Sequence, residues 1–141
     1  MDYRGKVVVM TGASSGIGYE AAKAFAQRGA IVVAVARREA LLQKLIAECR
    51  AASPESYYVA GDLGDRAVAE RVIDDAVQRH GRIDILVNNA AISKHKHTFH
   101  TTAEEADLVM RVNFMSCVWT IYAAKSRLLR RLREELEGLL D

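Results

Sequence analysis

Thr11-Gly12-Ala13-Ser14-Ser15-Gly16-Ile17-Gly18 follows a short apolar run, Val7-Val8-Val9-Met10, and leads into Tyr19-Glu20-Ala21-Ala22-Lys23-Ala24-Phe25-Ala26. The first flank reads as a strand. The second has strong helix formers with a 3.6-residue apolar rhythm. Strand, glycine-rich turn and helix in that order form a phosphate-binding arrangement. Glycine tolerates positive φ and, lacking Cβ, lets an anion approach the backbone. The helix then presents unpaired N–H groups and the positive end of its dipole to that anion.

The rest of the chain repeats the alternation. Residues 6–10 read as the first strand and 15–28 contain the first helix, with Gly29 placed for a left-handed stop. Ile31–Ala36, IVVAVA, is a continuous β-branched run, as expected of a strand buried on both faces. Residues 39–51 follow as a helix, 56–60 as a third strand, Arg66–His80 as a third helix and 83–87 as a fourth strand. Strands separated by helices of this length imply β-α-β units and a parallel sheet. The expected class is α/β: a Rossmann-like parallel sheet of four strands in order 3-2-1-4, with flanking helices and a ligand crevice between strands 1 and 4.

Residues 92–102 read as a polar loop carrying His95, His97 and His100. No carboxylate or cysteine completes a ligand set there, so no metal is expected. Thr102 with Glu105 fits a capping box. The helix it starts is expected to run over 103–140, where no proline occurs and the only glycine is Gly138.

Composition narrows the function classes. The chain has 141 residues, half of them hydrophobic and about a quarter charged, with a net charge of +2. A single domain over 1–141 is expected, and nothing calls for nucleic acid or an acidic membrane. No apolar stretch approaches the roughly 20 residues of a membrane span, and the N-terminus lacks a signal-peptide pattern. Cys49 and Cys117 form no C-x-x-C motif, so a cytoplasmic location is expected, with both packing as small hydrophobes.

Four motifs in register resemble the short-chain dehydrogenase/reductase family, over residues 5–124. They are Thr11–Gly18 for T-G-x-x-x-G-x-G, Asp62-Leu63 after the third strand, Asn88-Asn89-Ala90-Ala91 for N-N-A-G, and Asn113 in Met110-Arg111-Val112-Asn113. The resemblance implies a dinucleotide held by Gly12, Ser14, Ser15, Gly16, Ile17, Gly18, Asp62, Leu63, Asn89, Ala90 and Ala91. It implies that Asp62 meets adenine and that Asn113 helps hold a proton-relay water. Ala91 departs from the family's final glycine and narrows backbone approach near the nicotinamide ribose.

Cofactor choice follows from charge. NAD-binding units carry a carboxylate about 20 residues past the glycines, on the ribose 2′-OH. Here the second strand ends in Ala36-Arg37-Arg38. Guanidinium forks suit a 2′-phosphate, so NADP(H) is expected over NAD(H), with Arg37 and Arg38 as its ligands. Glu39 is an alternative ribose partner, and Ser15 stands where NADP-dependent relatives often carry Lys or Arg.

The family's chemistry needs a serine after a fifth strand and a Tyr-x-x-x-Lys on the next helix, where lysine lowers the tyrosine pKa. Twenty-eight residues follow Asn113, and they read as continuous helix. Tyr122-Ala123-Ala124-Lys125 has a spacing of three, which turns lysine by about 100° from the required face. The expectation is therefore a truncated or engineered cofactor-binding half without the catalyst. A working carbonyl reductase or alcohol dehydrogenase using Tyr122 and Lys125 is the alternative, and a helix-mediated scaffold with a vestigial site is another. Leu129, Leu132, Leu136 and Leu139 form a 3-4-3 stripe that predicts a homodimer through the C-terminal helix, where the family builds a dimer interface. The competing expectation is a terminal helix packed on its own domain.

Overall fold

A computed structural model describes residues 2–93 and 100–139. The strands are β1 (Val7–Thr11), β2 (Ile31–Ala36), β3 (Tyr57–Ala60) and β4 (Ile85–Val87). Between them lie helices α1 (Gly16–Gln27), α2 (Glu39–Arg50) and α3 (Arg66–His80). The strands form one parallel sheet in order β3-β2-β1-β4, as the alternating pattern predicts.

The sheet is buried because both faces are covered. Along β2, Val32, Ala34 and Ala36 pack with Ala22 and Ala26 of α1 and with Leu42, Leu45, Ile46 and Cys49 of α2. The alternate residues Ile31, Val33 and Val35 pack with Ala69, Val72 and Ala76 of α3 and with Trp119. The period of two thus explains a strand with no polar residue. Burial raises the Cys49 thiol pKa to about 11, so this cysteine acts as a packing group.

The helix starts and stops follow local chemistry. Gly81 ends α3 at φ 71°, and Gly29 follows α1 at φ 85°. Thr102 and Glu105 form the expected capping box at the start of α4 (Ala103–Met110). The helical path then continues to Glu137, but not as one uniform α-helix. A π-helical turn at Arg111–Met115 separates α4 from α5 (Ser116–Glu137). Inserting a residue into the register is a common device at functional sites. Leu140, the far end of the expected helix, lies outside the described residues, as do His95 and His97.

The first part of α5 packs on α3. Ser116, Thr120, Ala123 and Ala124 are buried, and Arg127 pairs with Asp74 at 2.7 Å and Glu70 at 3.8 Å. The leucine stripe does not share this contact. Leu129, Leu132, Leu136 and Leu139 are all exposed, so the packed-terminal-helix expectation holds for the start of α5 and fails for its leucines. Leucine every three or four residues fixed a common face but not which side of the helix α3 would take.

At the base of the sheet, Asp84 ties β1 to the strand beside it. Its Oδ2 accepts from the Val7 N–H at 2.9 Å and Arg82 Nε at 2.8 Å, while Lys6 and Arg82 pair with Oδ1. Burial pushes the Asp84 carboxyl up, but the Arg82 guanidinium, the Val7 N–H and Lys6 outweigh it and hold the pKa below its ordinary value. A depressed folded-state pKa stabilises the fold above the unfolded value of about 3.9 and loses that contribution as pH falls through the folded one. Asp84→Asn is therefore expected to lower the urea midpoint at neutral pH and to shrink its drop on acidification. An unchanged acid-side drop would contradict this role.

Candidate cofactor crevice

The C-terminal edge of the sheet opens into a crevice of about 280 Å³ over β1, at the point where the strand order reverses. Its lining comes from the glycine-rich turn (Gly12, Ser14, Ser15), the β2 tip (Ala36, Arg37, Arg38), the β3 tip (Gly61, Asp62, Leu63) and the turn after β4 (Asn89, Ala90, Ala91, Ile92), with Val112 beneath.

Thr11 assembles the centre of this site. Its buried hydroxyl donates to Val87 O at 3.1 Å and accepts from the N–H groups of Asn89 at 2.9 Å and Ala90 at 3.0 Å. One donor and two acceptor positions saturate a hydroxyl, and all are used between β1 and the turn after β4. The Asn89 side chain returns the contact, donating to Thr11 O at 3.2 Å and Gly12 O at 3.3 Å.

Two glycines are required by space. A Cβ on Gly12, already at φ 66°, would lie 2.7 Å from the Ala90 Cα. A Cβ on Gly18 would lie 2.5 Å from both the Asn89 amide nitrogen and Gly12 O. Gly16 differs. It has φ 60°, but a Cβ there would meet nothing within 4 Å, so its backbone conformation and not its space calls for glycine. Gly16 and Gly18 form the start of α1 behind the lining, and the Ile17 side chain is 83% exposed. Ser15 caps α1 from extended backbone and makes no side-chain cap bond.

The serine hydroxyls face Arg38 instead. Arg38 Nη2 donates to Ser15 Oγ at 2.6 Å and to Ser14 Oγ at 3.0 Å, and Nε reaches Ser14 Oγ at 3.3 Å. A guanidinium from the β2 tip thus bridges to the position where the resemblance had placed a loop cation. Arg37 is exposed on the same rim. Glu39 is turned to other work. It sits in the first turn of α2, and its carboxylate accepts from the Tyr58 hydroxyl at 3.0 Å. Asp62 is the one carboxylate of the lining. One of its oxygens accepts from the Gly64 N–H at 2.9 Å. Leu63 is 4% exposed and joins the core under β3, so only its edge reaches the crevice.

Asn113 lies in the π turn, beside the crevice lining. Its Oδ1 accepts from the Ile92 N–H and its Nδ2 donates to Ile92 O, both at 2.8 Å. Both ends of the amide are spent on holding the irregular segment that leaves Ala91. Asn88 is tethered too, accepting from the Thr120 hydroxyl at 3.0 Å. Sequence reading missed both contacts, along with Ala36, Gly61, Ile92 and Val112 in the lining. Asn113 and Thr120 lie 21 and 32 residues from their partners, so no local pattern signals them. Tyr122 and Lys125 are outside the lining. Both are exposed on α5, and Tyr122 is 66% accessible. Among the described residues, no three His, Cys, Asp or Glu side chains gather as a metal site.

This architecture has close counterparts. L-sorbose reductase from Gluconobacter frateurii, solved with NADPH and L-sorbose, superposes with TM-score 0.86 at 29% identity, covering 93% of this chain and 50% of that one. A metagenomic short-chain oxidoreductase solved with NADP gives TM-score 0.84 at 30% identity, over 91% of this chain and 58% of the other. Among sequences, an uncharacterized oxidoreductase of Bacillus subtilis is 38% identical over 119 residues, 84% of this chain and 33% of the relative. The 11-beta-hydroxysteroid dehydrogenase-like 4A of Arabidopsis thaliana is 40% identical over 123 residues, 85% of this chain and 41% of the relative. The chain thus spans well under half the length of these two curated relatives. The short chain dehydrogenase family model matches residues 6–134, and the chain belongs to that family.

Proposed function

We propose that residues 1–141 act as one dinucleotide-binding unit that holds NADP(H) in preference to NAD(H). The observation that carries this reading is the rim of the crevice. Arg37 and Arg38 stand at the β2 tip while the nearby carboxylate, Glu39, is engaged by Tyr58. A 2′-phosphate meets two permanently charged forks there, while the β2 tip offers a 2′-OH no carboxylate among the lining residues. The glycine turn fits the same ligand: Gly16 has the positive φ and the open Cβ position that close approach of a pyrophosphate needs. When bound, the cofactor supplies hydride chemistry.

In this reading Gly12, Ser14, Ser15, Gly16, Ile17 and Gly18 present the pyrophosphate cradle, and Asp62 and Leu63 take the adenine side. Asn89, Ala90 and Ala91 position the nicotinamide ribose. Asn113 acts as a positioning residue, through Ile92. The unit binds but does not by itself turn over a carbonyl or alcohol, a reading supported by Tyr122 and Lys125 lying outside the crevice lining. Bound protein partners are a second copy of the chain, through the C-terminal helix. A reducing cytoplasm suits its free cysteines, one of them fully packed in the core. No helix among the described residues is long and apolar enough to cross a membrane.

Titration of the purified chain is expected to give tighter binding of NADPH than of NADH. Arg37→Ala should weaken NADPH by about 10–100-fold, the loss of a charged hydrogen bond, and leave NADH unchanged. Equal affinity of the unaltered chain for both cofactors would refute the arginine reading. Gly18→Ala should cost about 1–3 kcal/mol by overpacking and weaken both cofactors, read as a lower Tm and a higher Kd. NADPH consumption over a panel of ketones and aldehydes is expected to be absent; turnover abolished by Tyr122→Phe would restore the enzyme reading.

A further inference from the structure

Glu39 stands next to two cations and pairs with neither. It follows Arg37 and Arg38 directly in the chain and is exposed. Among the described residues neither arginine forms an ion pair, and Arg38 donates to the Ser14 and Ser15 hydroxyls instead. The positive charge at the rim is therefore left unneutralised. The Glu39 carboxylate takes its bond from a neutral group, the Tyr58 hydroxyl, at 3.0 Å.

The surroundings of Tyr58 aim that hydroxyl. Tyr58 lies in β3 in register with Ala34, and its half-buried ring packs on the core formed with α1 and α2. This packing fixes where the hydroxyl emerges. Gln43, one turn along α2 from Glu39, donates its amide to the same oxygen at 3.3 Å. A hydroxyl has a single proton to give. With Gln43 donating to the oxygen, that proton is directed to Glu39. The carboxylate is thus tethered to the edge strand β3, and neither Glu39 nor Tyr58 belongs to the crevice lining.

Resting on the NADP(H) reading above, we infer that Tyr58 is a positioning residue for cofactor choice: its hydroxyl keeps the Glu39 carboxylate off the Arg37–Arg38 rim. Once released, the carboxylate has two guanidiniums within two residues to pair with. It would cancel part of the charge that a 2′-phosphate meets and would repel the phosphate itself. It would also offer the ribose 2′-OH the acidic partner that NAD-binding units carry past their glycines. One hydroxyl outside the crevice thereby tilts the site toward the phosphorylated cofactor.

Tyr58→Phe removes that hydroxyl and keeps the packed ring. Titration of the full chain is expected to show NADPH weakened by about three- to tenfold, the scale of a screened charge contact, with NADH unchanged or tighter. Retained NADH binding also reports a folded crevice. Glu39→Gln alone should leave the parental preference in place. Added to Tyr58→Phe, it should recover the NADPH affinity, a rescue that a merely structural loss would not show. A Tyr58→Phe chain that keeps the parental ratio of the two affinities would overturn the inference. So would a NADPH loss that persists in the double variant. Either result leaves the NADP(H) reading intact, whereas equal affinities in the unaltered chain would overturn both.

Discussion

The Thr11 hydroxyl closes the join between β1 and the turn after β4, and the cofactor crevice is built around that join. It gives one hydrogen bond to Val87 O and takes two, from the Asn89 and Ala90 N–H groups, while Asn89 reaches back to Thr11 O and Gly12 O. Parallel strands leave their terminal carbonyls and N–H groups unpaired where loops begin, and one buried hydroxyl answers three of them here. With the two turns locked together, Gly12 and Gly18 have room for hydrogen alone, and the start of α1 is drawn under the glycine turn.

Layering explains why such a join sits where a ligand can reach it. β1 and β2 alternate their side chains between an α1/α2 core and an α3/α5 core, so the sheet cannot slide or tilt without opening one of them. Asp84 fixes the base of the sheet and Thr11 its rim. The π turn then lets one helical path make two different contacts with the rim. Asn113 holds Ile92 from within the turn, and Thr120 holds Asn88 after it. Charge at the β2 tip completes the site, with Arg38 braced by the Ser14 and Ser15 hydroxyls.

Much of this was legible in the sequence where the signal is local. IVVAVA announces a strand covered on both faces, Thr102 with Glu105 announces a capping box, and the spacing of strands and helices announces the 3-2-1-4 order. The crevice also follows, because its position depends on strand order and on the glycine turn. What stayed hidden depends on reach across the fold. The Arg38 side chain could point to solvent or to Ser15, and only the distance between the β2 tip and the loop decides it. The role of the Asn113 amide was likewise open until Ile92 was beside it. The leucine stripe was readable as a face, while its direction required the Arg127 pairs with α3.

The account rests on a crevice preassembled by the Thr11 hydroxyl, and Thr11→Val removes that hydroxyl with little change in shape. Each of its three polar partners left buried and unpaired is expected to cost about 1–3 kcal/mol in stability. The direct measurement is the NADPH dissociation constant of Thr11→Val, taken under conditions where circular dichroism shows it folded, beside Thr11→Ser as the hydroxyl-bearing control. The predicted result is weaker binding by about tenfold or more for valine and near-parental binding for serine, a loss equivalent to about 1.4 kcal/mol. A folded valine variant that binds NADPH as tightly as the parent would contradict the claim that this hydroxyl builds the site.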